Sequence, residues 1–387
     1  MSARPLAVRR LGRVEYVDGL AFQRRLVALR REGLVPDTLL LLEHPPVLTL
    51  GRGADEANLL VSRPELAARG IEVHETDRGG DVTYHGPGQV VGYPILDLNP
   101  DRKDVRKYVR DVEETMIRAA RDFGVECRRV DGRIGVWADD ASAGGSEPGG
   151  SSPTALPAHG GGRVPHGVRK LGAIGVHLSR WITSHGFAFN VAPDLAHFGL
   201  IVPCGIRDAG VTSLAAEGKV ASMTDVETRL AAHAGEVFDR EIVPAPFELA
   251  IVLVAVVRPS SRGVEALMLH RVPARGAFWQ TVTGRLEPGE APAAAAEREA
   301  REETGLEGEL VDLAYAHAYT LDPALAPGRD PNRFVATHED CFALRVPAGS
   351  EPRLSDEHDA SEWLPLEDAV ARAPFAGMKR ALRLAGQ

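Results

Sequence analysis

Three glutamates, Glu299, Glu302 and Glu303, stand at i, i+3 and i+4 in the segment EREAREETG that ends at Gly305. Its Ala, Glu and Arg content favours a helix, and that spacing gathers three carboxylates on one helical face. Like charges so placed repel. A divalent cation that prefers oxygen ligands and also binds substrate phosphates, Mg²⁺ or Mn²⁺, would relieve them. Gly284 precedes Glu290 by a five-residue gap, seven residues separate Glu290 from Arg298, and Gly305 falls where a left-handed C-cap is expected. The bland alternative is a solvated helix laced by Glu297–Arg301 and Arg298–Glu302 pairs. A long pattern filled at every fixed position, glycine loop included, argues against it.

A second set of reactive types lies earlier. Cys204 follows a proline and precedes a glycine in FGLIVPCGI. A lone cysteine there is either a small buried hydrophobe or a nucleophile whose thiol pKa a nearby cation lowers. Lys170, one of only five lysines against forty arginines, opens the strand-like run KLGAIGVH. It could be that cation, or could accept the thiol proton and return it. The stretch RGGDVTYHGPGQ from Arg78 to Gln89 holds four glycines and a proline around a tyrosine and a histidine, a tight loop whose backbone approaches something closely. HGFAFNV begins at His185.

Two resemblances follow from these residues. Residues 284–306 match the Nudix box, and the surrounding segment resembles a Nudix hydrolase. The resemblance implies metal-assisted attack of water on a diphosphate linkage, with Mg²⁺ (or Mn²⁺) held by Glu299, Glu303 and a further glutamate beyond the box, for which Glu357 is the best match and Glu339 the second. Glu302 or Glu299 would act as base. The aromatics in AFWQTVTGRLEPGE look like the dihydroneopterin triphosphate or dATP branch. Residues 14–243, through RGGDVTYHGPGQ, the Lys170 strand, HGFAFN and PCGI in that order, resemble the lipoate–protein ligase B family of octanoyl transferases. That resemblance implies a mixed sheet flanked by helices, shared with biotin protein ligases, and no cofactor. It makes Cys204 the carrier of the acyl thioester and Lys170 the residue that lowers its pKa. Arg78, Gly79, Gly80, Asp81, Val82, Thr83, Tyr84 and His85 would line the substrate pocket, with Ala173, Ile174, Gly175, Gly186, Phe187 and Ala188 as further contacts. The implied partners are octanoyl-acyl carrier protein, the lipoyl domains of 2-oxoacid dehydrogenases and the glycine cleavage H protein. His177 stands where an arginine is common in that family. The competing readings are an ATP-dependent lipoate ligase with a nucleotide-sensing Nudix fold, and a non-catalytic binding module. The absence of a GRGRxGR-type loop, the Cys204–Lys170 combination and the intact box glutamates disfavour them.

A chain of 387 residues, 44% hydrophobic and 26% charged, is expected to fold as two globular domains. The fold class expected is α+β, a mixed-sheet domain over residues 1–243 followed by a Nudix α/β/α sandwich over 244–387. A net charge of −9 without a basic block argues against non-specific nucleic-acid binding. Three scattered cysteines form no disulfide framework. The N-terminus has no apolar signal core, and the longest apolar run, 249–257, is too short for a bilayer, so a cytoplasmic protein without membrane contact is expected. Helices are expected over 17–31, 102–123, 224–237, the box, and 366–384. Strands are expected over 38–42, 133–138, 170–178, 249–257, 264–270, 309–320 and 338–346. Residues 139–167, rich in Gly, Ser and Pro, read as a disordered insertion between adjacent strands.

Overall fold

The computed structural model describes residues 4–139, 167–202, 210–261, 263–321, 330 and 333–387. It divides into two compact units, Met1–Arg10 with Leu26–Ala245, and Leu11–Arg25 with Pro246–Gln387. Leu11–Arg25 groups with the C-terminal half, whereas the resemblance over residues 14–243 places it with the first domain. No described helix is long and apolar enough to cross a membrane.

The elements run β1 (Arg4–Arg13), α1 (Tyr16–Arg31), β2 (Asp37–Glu43), β3 (Val47–Leu50), α2 (Arg63–Ala68), β4 (Glu72–Glu75), β5 (Val82–His85), β6 (Gln89–Ile95), α3 (Val105–Asp122), β7 (Cys127–Val130), β8 (Arg133–Asp139), β9 (Val168–Ser179), β10 (Ile182–Asn190), β11 (Gly210–Val211), α4 (Met223–Phe238) and β12 (Arg240–Pro244). One mixed sheet has the order β12-β1-β2-β6-β10-β9-β8-β7, with β11 on β9; β4-β3-β5 form a small second sheet. Leu39–Leu42 and Val90–Val91 are buried because the inner strands are covered. Asp104 and Ser222 accept backbone N–H bonds at the starts of α3 and α4, and Tyr108, Val112, Met116, Leu230 and Phe238 from these helices join one core with Leu171 and Phe189. At this end of the sheet the buried Asp37 carboxylate binds Arg30 Nε at 2.8 Å and Arg240 Nε at 3.0 Å, tying β2 to β12 across β1. β8 and β9 pair directly, with Asp139 opposite Val168. These two strands are therefore neighbours, as expected; the intervening residues 140–166, expected to be disordered, lie outside the described residues.

The second unit contains β13 (Leu249–Ser260), β14 (Gly263–Arg271), β15 (Trp279–Gln280), β16 (Val282–Arg285), α5 (Pro292–Thr304), β17 (Glu309–Thr320), β18 (Ala336–Arg345), β19 (His358–Pro365), α6 (Leu366–Arg372) and α7 (Ala376–Ala385). The sheet runs β15-β14-β13-β18-β17, with β16 on β13 and β19 on β14. Ala295, Ala296 and Ala300 of α5 pack on Val252, Val254 and Phe342. Met378, Ala381 and Leu382 of α7 pack on the opposite-face residues Leu253 and Cys341, which completes the three layers. The single helix expected over 366–384 is instead two, broken at Ala373. Pro374 follows, and the ring of a proline disfavours helical backbone at the residue before it.

Candidate functional sites

In the first unit the loop before β5 is folded onto β3 and β9. The Arg78 guanidinium is buried and spent on the protein: Nη2 donates to Thr49 O at 2.6 Å and to Thr49 Oγ1 at 2.9 Å. Gly79 N–H donates to Val176 O at 2.9 Å. Gly80 takes φ +89°, and a Cβ on Gly51 would lie 2.3 Å from Gly80 O, so this crossing of backbones needs glycine on both sides. Asp81 accepts from Asn58 Nδ2 at 2.6 Å, Val82 is fully buried, Thr83 faces Thr49 across the ladder, and the Tyr84 hydroxyl meets His197 Nδ1 at 2.8 Å. Of the residues expected to line a pocket, Arg78, Asp81, Val82 and Tyr84 thus have side chains engaged in holding the loop.

His85 begins a chain of hydrogen bonds that ends at Lys170. Gln89 Nε2 donates to Asn190 Oδ1 (2.9 Å), so Gln89 Oε1 is the acceptor for His85 Nδ1 (2.7 Å), which must carry the proton. Asn190 Nδ2 donates to Thr212 O (2.9 Å), and Thr212 N–H donates to Lys170 O (3.0 Å). Burial, with His44 beside it, pushes the His85 pKa down to about 3, so the ring is neutral. His185, in left-handed backbone at φ 54°, holds Asp77 at 2.8 Å, and His177 lies 3.8 Å from the same carboxylate. Despite the opposing effect of burial, these contacts keep the Asp77 carboxyl below its usual range.

Lys170 is 9% exposed, with Nζ 5.1 Å from the Trp137 ring centroid, a cation–π contact. Gly135 makes room for it, since a Cβ there would lie 2.7 Å from Lys170 Cε. Gly175, Ile174 and Ala173 on β9 stand opposite Gly186, Phe187 and Ala188 on β10. Cys204 lies outside the described residues. The described chain stops at Val202, whose N–H donates to Asn58 O, and resumes at Gly210, paired with Arg169 beside Lys170.

In the second unit, α5 delivers its carboxylates past a glycine. A Cβ on Gly284 would fall 1.7 Å from Glu299 Cδ, so the Glu299 side chain occupies that space. Arg298 organises the box: it donates to both Glu290 oxygens at 2.9 Å, to Glu299 Oε1 at 2.7 Å, to Glu302 Oε2 at 3.2 Å and to Arg285 O at 2.9 Å. Those bonds hold the Glu290 carboxyl down to about 2. Glu303 is the reverse. Burial, then the neighbouring Glu299 and Glu357, push it up to about 9, and its Oε2 is buried without a hydrogen-bond partner. Burial also raises Glu299. Glu357 accepts from Arg275 at 2.6 Å. Glu299, Glu303 and Glu357 line a cavity of about 770 Å³, whereas Glu302 is 59% exposed on the helix surface. A buried orphan oxygen among three mutually repelling carboxylates fits an oxygen-ligated dication.

Sequence reasoning passed over Asn190, although it stands inside HGFAFNV, and over His44, Arg275 and Asp18, which carry no local signal. The model of the lipoyl protein ligase A/B catalytic domain matches residues 15–235, and that of the NUDIX domain matches residues 247–384. An octanoyltransferase of Myxococcus xanthus is 48% identical over 98% of this chain and 99% of its own length. Those of Acidobacterium capsulatum, 50% identical over 60% of this chain and 90% of theirs, and of Chloroflexus aggregans, 45% identical over 62% and 99%, match only part of this chain. The fold is α+β, as expected, and the chain belongs to the lipoyl protein ligase A/B catalytic family, with a NUDIX domain following in the same polypeptide.

Proposed function

We propose that the first unit transfers an octanoyl group from octanoyl-acyl carrier protein to a lysine of lipoyl domains through a thioester on Cys204. The observation that carries this is the full-length likeness to an octanoyltransferase, joined to a buried lysine beside the strand at which the described chain resumes after Cys204. The Cys204 thiolate attacks the donor thioester carbonyl, and the carrier thiol leaves with a proton. The lysine amine of the lipoyl domain then attacks the enzyme thioester, forming an amide and returning the thiol to Cys204. Lys170, held over Trp137, supplies the positive charge that favours the thiolate. Intact-mass measurement after incubation with octanoyl-acyl carrier protein should show one added octanoyl group. If Cys204→Ala gains the same mass and passes it on, the assignment is wrong.

The second unit, in the same reading, hydrolyses a nucleoside-diphosphate-linked or triphosphate substrate. Glu299, Glu303 and Glu357 would hold Mg²⁺, which when bound makes a water more acidic and offsets charge on the leaving phosphate. Arg298 fixes Glu299 and leaves Glu303 facing the cavity. Glu302, tethered to Arg298 and open to solvent, is the box carboxylate left to move a proton, with Glu299 the other choice. A phosphate and pyrophosphate release assay on the full chain, with and without Mg²⁺, tests this; no cleavage across a broad nucleotide panel would leave the domain a sensor.

A further inference from the structure

We propose that the end of the second unit's cavity away from α5, built by Asp18, Thr337 and Glu339, selects a substrate ring that presents adjacent N–H donors beside a carbonyl, the 2-aminopyrimidinone edge of guanine and of pterins. The proposal rests on the hydrolase reading above and extends it to specificity.

The cavity floor is one face of the sheet. Arg285 on β16 stands opposite Ile251 on β13, Ile251 opposite Glu339 on β18, and Glu339 opposite His317 on β17. One row along, Leu249, Thr337 and Tyr319 align. Side chains two apart share a face, and all of these line the same cavity. From β16 to β17 the floor crosses three interstrand steps, about 14 Å at ~4.8 Å each. A site for phosphate alone would not need that span. Carboxylates mark one end; hydroxyl, carboxyl and imidazole groups mark the other.

Asp18 is brought there by the part of α1 that belongs to this unit. Glu15 Oε1 accepts from the Tyr315 hydroxyl at 2.9 Å and lies 3.7 Å from Arg380, and Phe22, fully buried, packs on Phe334 with ring centroids 5.9 Å apart. Asp18, one turn after Glu15, is thereby turned into the cavity. Among the described residues no hydrogen bond or ion pair engages its carboxyl. A second orphan faces the same space: Thr337 is fully buried, lines the cavity, and its Oγ1 has no hydrogen-bond partner. Buried polar groups left unpaired are costly, so an ordered partner is expected in the bound state. Glu339 hydrogen-bonds Tyr319 and lies 3.2 Å from His317 Nε2, which fixes it as the wall behind Asp18. The unpartnered Asp18 carboxylate offers two acceptor oxygens toward the cavity. Two acceptors next to a hydroxyl donor complement two N–H groups next to a carbonyl. Phe278 and Phe375, edge to face at 5.6 Å, supply an apolar wall for a flat ring.

A metal is the competing occupant, since donor atoms of His317, Glu339 and Cys341 lie within 4.8 Å of one another. Glu339 approaches Nε2, however, while Cys341 approaches Nδ1 at 3.9 Å. The two nitrogens diverge from the ring, so one ion cannot take the close partners of both.

Calorimetry on the full chain with Mg²⁺ and the α,β-methylene analogues of dGTP, dATP and dCTP tests the proposal, alongside turnover of dGTP, dATP, dCTP and dihydroneopterin triphosphate. The dGTP analogue should bind about tenfold or more tighter than the other two, the worth of one hydrogen bond. Asp18→Asn and the nearly isosteric Thr337→Val should each erode that preference, by raising KM for dGTP with kcat little changed. The relative turnover of the pterin and guanine substrates distinguishes the two sources of the edge. Glu303→Gln should lower turnover by about 10²–10³-fold while keeping the base preference in binding, which separates this proposal from the hydrolase reading. Equal binding of all three analogues, a preference untouched in both Asp18→Asn and Thr337→Val, or no binding at all overturns it.

Discussion

Around Lys170 and His85 every polar group for which a partner is named above is engaged by its neighbours, from the His85–Gln89–Asn190–Thr212 relay to the guanidinium of Arg78. Around Glu303 the opposite holds: carboxylates are pressed together and one oxygen is left without a donor. The named side chains of the first region are tied to one another before any substrate arrives. The second presses together carboxylates whose repulsion a cation would relieve. One polypeptide thus pairs a region of satisfied polar groups with one of unsatisfied carboxylates, and the two should fail in different ways.

The largest effects should be two clean and separate losses. Cys204→Ala should lower octanoyl transfer by on the order of 10³-fold or more while leaving nucleotide hydrolysis intact. Glu303→Gln should lower hydrolysis by about 10²–10³-fold and leave acyl transfer intact. If either substitution removes both activities in a folded chain, the two sites are not independent. A smaller effect is expected at Lys170. Lys170→Met should move the pH midpoint of iodoacetamide labelling at Cys204 upward, toward the ~8.5 of an unperturbed thiol. An unchanged profile removes Lys170 from the activation step.

The region of crowded carboxylates should also announce itself in stability. A carboxyl whose pKa rises on folding binds its proton more tightly in the native chain, so stability is lost as pH climbs from the unfolded value through the folded one. Asp18, Glu339 and Glu303, pushed from ordinary carboxyl values near 4 to about 7, 8 and 9, spread that loss from about pH 4 to pH 9, and it runs unopposed between pH 6.5 and 9. His317 and His358, lowered to about 4, oppose it only below their ordinary value near 6.5. Without metal, the thermal midpoint of the second unit's transition should therefore fall across that window. Mg²⁺ should reduce the fall, and Glu303→Gln should flatten it. A midpoint that rises with pH in the metal-free chain would contradict the carboxylate assignment. The smallest effect is expected from replacing 139–167 with a short Gly/Ser turn. β8 and β9 already pair up to Asp139 and Val168, so transfer should be unchanged. Loss of transfer with the fold retained would give that segment a role at the site.

Much of this was legible locally. The box helix with its glycine, the Lys170 strand and the neighbouring of β8 and β9 all depend on residues close in sequence or on strict periodicity. The relay from His85 to Lys170 was not, because Gln89, Asn190 and Thr212 meet only through strand pairings far apart in the chain. The helix break at Ala373 could have been read from Pro374, whose effect on the preceding residue is local. Asp18 was beyond reach: nothing in VEYVDGLAFQ marks a residue that belongs with strands three hundred positions later.

That membership of Leu11–Arg25 has a consequence for how the chain can be divided. A single cut near residue 245 separates Leu11–Arg25 from the C-terminal residues with which it groups. The downstream piece would lack Glu15, Asp18 and Phe22, and the upstream piece would carry them with no strands to cover Phe22, a side chain whose truncation in a core typically costs about 3–5 kcal/mol. Division of this chain at that point would therefore leave the downstream piece without Glu15, Asp18 and Phe22 unless the short N-terminal segment were duplicated. The start of the chain thus serves the downstream unit through folding as well as through covalent continuity.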